Sequence, residues 1–123
     1  MSENWGPYFI VPSLLRKTVS GSTVLGDSFD DSLLRQELIA NCLPLDVVKV
    51  KNPWFYRKKN SDSWLMIGES DNIEDNFPVE WDFSRLQNGS YEVMALMQVF
   101  VEEGVSEKAV VARQNIAGVT VQS

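Results

Sequence analysis

A chain of 123 residues, 44% hydrophobic and 23% charged, is long enough for one domain with a core and too apolar for disorder. Its 11 basic residues against 17 acidic ones leave a net charge of −6, which disfavours a nucleic-acid backbone as the main partner. Histidine is absent and cysteine occurs once, which removes Ser-His-Asp and Cys-His pairs, internal disulfides and multi-cysteine zinc sites.

Residues 1–7 carry Gly6 and Pro7 without periodicity and read as an arm. They lack the basic region and apolar core of a signal peptide, so the expectation is a chain made in the cytoplasm. No apolar run approaches the roughly 20 residues of a membrane-spanning helix. Tyr8 to Val11 predicts a short strand that Pro12 closes at a sheet edge. Leu14-Leu15 and Thr23-Val24-Leu25 are small apolar pieces around the flexible Val19-Ser20-Gly21-Ser22, and Asp27 to Asp31 reads as an acidic loop. Ser32 to Leu43 fits two patterns. Leu34, Leu38, Ala40 and Cys42 alternate as in a strand, whereas Leu33, Leu34, Leu38 and Ile39 form a helical stripe with Asp31 or Ser32 as a cap. Apolar flanks make Cys42 a buried, inert thiol.

Asp46 to Tyr56 predicts a strand, with Pro53 marking an interruption or bulge. Asn60 to Ser63 is a turn cluster, and Trp64 to Gly68 pairs back as the next strand. Glu69 to Asn76 reads as an acidic loop, Phe77 to Phe83 as a strand, and Tyr91 to Val101 as a long one. After a turn at Glu102-Glu103-Gly104, Lys108 to Gln122 is strand-like throughout, with a kink expected at Gly118. About seven or more strands separated by turn signals predict an all-β antiparallel sandwich.

The run Trp81-Asp82-Phe83-Ser84-Arg85-Leu86-Gln87-Asn88-Gly89-Ser90-Tyr91 carries the most specific signal. Asn88-Gly89 tolerates the positive φ of a tight reversal, and Leu86 and Tyr91 bracket the turn. It resembles bacterial and phage immunoglobulin-like modules that read roughly Trp-Asp-Thr-Thr-x-Leu-x-Asn-Gly-x-Tyr, with Phe83 and Ser84 in place of the threonines. The resemblance covers roughly residues 37–121 and is strongest over 77–95. It implies an immunoglobulin-like sandwich core over 37–123, with 1–36 as an N-terminal arm and first edge strands. It implies structural roles for Trp54, Trp81, Asn88, Gly89 and Tyr91, the last as a tyrosine corner bonded to backbone near Leu86 or Asn88. Leu38 to Cys42 then resembles the second strand of such domains, which tips Ser32 to Leu43 toward strand. Antibodies place half of their inter-sheet disulfide on that strand and the other half where Val93 stands here, so packing alone must hold this sandwich.

Other clusters offer weaker chemistry. Arg57-Lys58-Lys59 beside Trp54, Phe55 and Tyr56 fits an anion contact, or more simply a solvated hairpin tip. Glu69 to Asn76 is rich in oxygen ligands, yet Ile73 sits where an EF-hand loop needs one and the glycine is missing. Trp54, Tyr56, Trp64 and Trp81 could form a sugar-binding platform, although aromatics of this size more often build a core. No motif singles out a catalytic, cofactor or metal residue.

The long strand is the sharper clue. Tyr91, Val93, Ala95, Met97, Val99 and Val101 suit an interior face, but Met94, Leu96 and Phe100 interrupt the opposite face, which should be polar. Something should cover them: residues 1–36, a second copy, or another protein. These features predict a non-enzymatic structural or binding module without cofactor, most simply a virion decoration, capsid or tail-associated protein acting through protein contacts. A carbohydrate-binding or adhesive surface module is the alternative.

Overall fold

A computed structural model describes residues 9–18, 21–43 and 46–123. The expected arm at residues 1–7 lies outside the described residues, as does the middle of the flexible segment at 19–20. Among the described residues, eight strands and one helix follow in the order β1 (Phe9–Ile10), β2 (Leu14–Arg16), β3 (Ser22–Asp27), α1 (Asp31–Ala40), β4 (Val47–Lys58), β5 (Leu65–Ser70), β6 (Val79–Asp82), β7 (Gly89–Glu103) and β8 (Ser106–Gln122). The protein is all-β and sandwich-like. A three-stranded sheet, β1-β3-β6, faces a five-stranded sheet, β2-β8-β7-β4-β5. All ladders are antiparallel except that of β2, which runs parallel to β8 with Leu15 opposite Val121.

Period-two alternation builds the core. Tyr91, Val93, Ala95, Met97, Val99 and Val101 of β7 are all buried, as the sequence predicts. Between the sheets, Trp54, Val93, Ala95 and Val119 meet Leu25, Val79, Trp81 and Phe83. A second cluster joins Val50, Phe77, Met97 and Val99 to Leu34 and Leu38 of α1. The helix thus packs on the inner face of β4 and β7.

This helix corrects the strand expected over Ser32 to Leu43. Asp30 caps it by accepting the Leu33 N–H at 3.1 Å, Asp31 pairs with Arg35 one turn on, and Leu34 and Leu38 share the buried face. Four-residue spacing of two leucines, with Gln36 unable to enter a core, outweighed the two-residue alternation. At its end Asn41 donates its Nδ2 to Glu37 O, and Cys42 turns left-handed with φ 54°. Cys42 is exposed, so the expected buried thiol is also corrected. The boundary expected at 36/37 falls inside α1, and β3 is the middle strand of its sheet.

Two further differences are local, at Asn88-Gly89 and Gly118, while the irregularity expected at Pro53 is present beside it. Asn88-Gly89 closes no two-residue hairpin, because β6 and β7 belong to different sheets; residues 83–88 cross between them, and only Gly89 has positive φ, 148°. Pro53, lacking an N–H, falls between the β4–β7 pairs Lys51↔Gln98 and Trp54↔Ala95, beside a register shift toward β5 at Trp54/Phe55. β8 runs through Gly118 in register with Glu92, and its irregularity lies instead opposite Val99/Phe100.

Candidate functional site

The outer face of the five-stranded sheet is where the sequence leaves apolar side chains unexplained. Cross-strand registry aligns them. Met66 of β5 stands opposite Phe55 of β4, Phe55 opposite Met94 of β7, and Met94 opposite Ile116 of β8. Cross-strand partners share a face, so these four side chains form one row over four adjacent strands, roughly 14 Å across at ordinary strand spacing. Met66 is 54% and Ile116 45% exposed, while Phe55 and Met94 between them are half-buried. Leu96 and Phe100, farther along β7, are also half-buried.

Charged pairs border this row. On one side Arg57 Nε donates to Glu92 Oε1 at 3.0 Å, and the guanidinium stacks over the Trp64 ring at 4.3 Å. On the other, the Lys49 and Lys51 ammonium groups lie 4.9 and 5.7 Å from the Phe100 ring centre. Lys49 also meets Glu107 at 2.8 Å, and Lys51 meets Glu69 at 3.7 Å. The face thus has an apolar centre within a paired polar rim. A shallow hollow of about 210 Å³ opens at the β7–β8 irregularity beside Phe100, lined by Gln98, Ala109, Val110, Val111 and Ala112. No acid, base or nucleophile lines it.

The described part of residues 1–36 does not supply the cover. β1 and β3 lie in the opposite sheet, β2 sits at the β8 edge, and α1 turns Leu34 and Leu38 to the inner side.

The residues singled out for architecture lie elsewhere. Trp54 is fully buried and donates its Nε1 to Phe77 O at 3.2 Å. That carbonyl belongs to a turn in which Asn76 and Phe77 both hold positive φ, 64° and 53°, so the indole braces a strained corner. Trp81 is buried against Tyr56 and Phe83, with ring centres 5.3 and 5.9 Å away. Tyr91 is 5% exposed and donates its hydroxyl to Gln87 O at 2.8 Å, one residue from either acceptor expected. Burial pushes its phenol pKa up, and the nearby Tyr56 adds to this. Gly89 begins β7, and Asn88 accepts from the Ser123 hydroxyl at 3.0 Å. With Trp54 and Trp81 inside, the four-aromatic sugar platform is not assembled.

Lys58 and Lys59 are exposed at the β4–β5 tip, while Arg57 is engaged. In the acidic loop, the Asn72 side chain donates to the Asp75 carboxylate and accepts the Asp75 N–H, and Asn76 closes the turn onto Ile73 O. Among the described residues no three His, Cys, Asp or Glu side chains converge as metal ligands. No described helix is long and apolar enough to cross a membrane.

Sequence reasoning missed one polar group altogether. Asp27, expected in a loop, ends β3 and is buried between the sheets with Asn52 of β4 and Asn115 of β8. The readable signal was Asn52 at an inward position between Val50 and Trp54. Compared with known proteins, the chain matches no family model and no curated sequence.

Proposed function

We propose that this protein is a non-enzymatic immunoglobulin-like module that works by docking another protein on the outer face of its five-stranded sheet. The carrying observation is the apolar row Met66–Phe55–Met94–Ile116, extended by Leu96 and Phe100 and bordered by charged pairs. The family reading is supported by the strand order: β3 and β6 pair in one sheet while β4, β7 and β8 neighbour one another in the other, as in immunoglobulin domains. Tyr91 at the crossing from β6 to β7 supports it further. The specific role we propose is that of a virion decoration, capsid or tail-associated protein. Its support is the sequence alone: an acidic module without histidine or a possible internal disulfide. Fold is a poor guide to role, so the surface carries the weight. The carbohydrate alternative has lost its aromatic platform and gains no observation in its place.

Magnitudes indicate how such a contact behaves. Covering the exposed remainder of six such side chains yields roughly 1 kcal/mol each. Association costs of about 4 kcal/mol or more consume much of that. The contact therefore depends on its rim and on nearly every anchor. A photo-crosslinking residue at Met94, in protein made in its native host, tests the reading. We expect a discrete crosslinked protein that a probe at exposed Asp62 does not capture. Identical background from both positions would overturn the proposal.

A further inference from the structure

We infer that in acidic solution Asp27 is held in the folded protein as a neutral carboxylic acid that ties the two sheets together by donating its proton to Asn52 Oδ1, a tie that is lost as pH rises toward neutrality. The inference rests on the core and is independent of the outer face. Asp27 is 1% exposed and Asn52 fully buried. Asp27 Oδ2 accepts from Asn52 Nδ2, and Oδ1 accepts from Asn115 Nδ2, both at 3.2 Å. One strand of the small sheet thus meets two of the large one through a polar layer. Asn52 Oδ1 is buried and has no hydrogen-bond partner among the described residues.

Buried acceptors are seldom left unmatched, because stranding one costs the desolvation of the group. An ionised Asp27 has no proton to offer. A protonated one closes an acid–amide ring, in which the amide N–H donates to Oδ2 and the acid O–H on Oδ1 donates to Asn52 Oδ1. Asn115 can continue to donate to a lone pair of the same Oδ1.

Among the described residues no cation competes for the carboxylate. β3 carries no other titratable group, and β1 carries none. On β4, Lys49, Lys51 and Arg57 belong to the outer face with Glu107, Glu69 and Glu92 as partners. On β8, Arg113 lies two residues from Asn115 but is bound to Glu37 of α1. Asp30 caps the helix; Glu80 and Asp82 of β6 are exposed, as are Glu74 and Asp75 before Asn76, whose carbonyl takes the Asp27 N–H at 2.8 Å. Burial is therefore the leading influence and pushes the Asp27 carboxyl up to about 6, against opposing bonds from Asn52 and Asn115.

The sign of the linkage follows. With the folded pKa above the ordinary aspartate value, the folded state binds more protons than the unfolded one between pH 4 and 6. Asp27's stabilisation is then fully present below about pH 4 and is lost as pH rises through about 6. The folding constant should fall by up to about a hundredfold over that window, two pH units at tenfold each.

The test is a side-chain carboxyl ¹³C titration of the wild-type protein from pH 3 to 9, with thermal and urea unfolding of wild type and Asp27→Asn at each pH. We expect the Asp27 carbon to titrate about two pH units above the exposed aspartates. The stability of wild type relative to Asp27→Asn should fall from pH 4 to 7, because the amide can donate to Asn52 Oδ1 without titrating and forgoes the Asn115 bond equally at every pH. An Asp27 carboxyl that titrates near 4 would overturn the inference, as would a wild-type-to-variant gap that does not change with pH. Should Asp27→Asn fail to fold, the wild-type carboxyl titration alone decides.

Discussion

Removing one oxygen from the molecule, Tyr91→Phe, separates the hydrogen bond of the β6–β7 crossing from the packing of the ring. The hydroxyl donates to Gln87 O at 2.8 Å, while the ring sits in the main core with Leu86 against it. Phenylalanine keeps the ring contacts and loses the bond. Gln87 lies on an exposed loop, so its carbonyl can turn to water and no desolvation penalty is added. The expected loss is then about 1 kcal/mol, the net worth of an ordinary hydrogen bond. For 123 residues at roughly 2.1 cal/mol/K each, the unfolding entropy is about 260 cal/mol/K, so the melting temperature should fall by about 4 °C. Differential scanning calorimetry at pH 7 reads this directly. A second signature appears in alkali. Because burial, then Tyr56, raise the phenol pKa in the fold, Tyr91's contribution is present below pH 10 and is lost as pH rises through the folded value. Tyr91→Phe should lack that increment of alkaline destabilisation. An unchanged melting temperature together with an unchanged alkaline limb would refute the reasoning.

Leu38→Ala empties a fully buried site between α1 and the sheet and should cost about 2–5 kcal/mol in urea unfolding. A cost below about 1 kcal/mol would mean that the helix does not dock as described. Cys42, exposed at the left-handed end of α1, should react with a small disulfide reagent in the native protein at nearly the rate of free cysteine. Reaction only after denaturant is added would place the thiol inside the fold.

Period-two patterning made most of the sandwich readable, because β4, β7 and β8 alternate over long spans and one buried face imposes one register. The alternation of β7 was legible residue by residue, and with it the unexplained Met94, Leu96 and Phe100. What could not be read was how strands align. Phe55, Met66 and Ile116 join Met94 only through registry, which depends on the β4–β5 irregularity and on the slip opposite Val99/Phe100. Ser32 to Leu43 was misread because a ten-residue helix burying two leucines carries little periodicity, and its Asp30 cap looked like one more residue of an acidic loop. Asp27 was hidden because the acidic run from Asp27 to Asp31 suggests solvent, and only tertiary packing brings Asn52 and Asn115 to it.

The central claim, that the outer face of the five-stranded sheet is a protein contact surface, meets its most direct test in the double variant Leu96→Glu with Phe100→Glu. Both side chains project from the outer face of β7, and both are half-buried before any partner arrives. Sedimentation velocity of wild type and variant, with the partner identified by crosslinking at Met94 or with the chain alone if it captures its own copy, reads the outcome beside circular dichroism of the fold. We expect a variant that keeps the wild-type spectrum and sediments as a free monomer. A variant that folds normally and keeps full assembly would contradict it, and so would one that unfolds, since the face would then belong to the protein's own core.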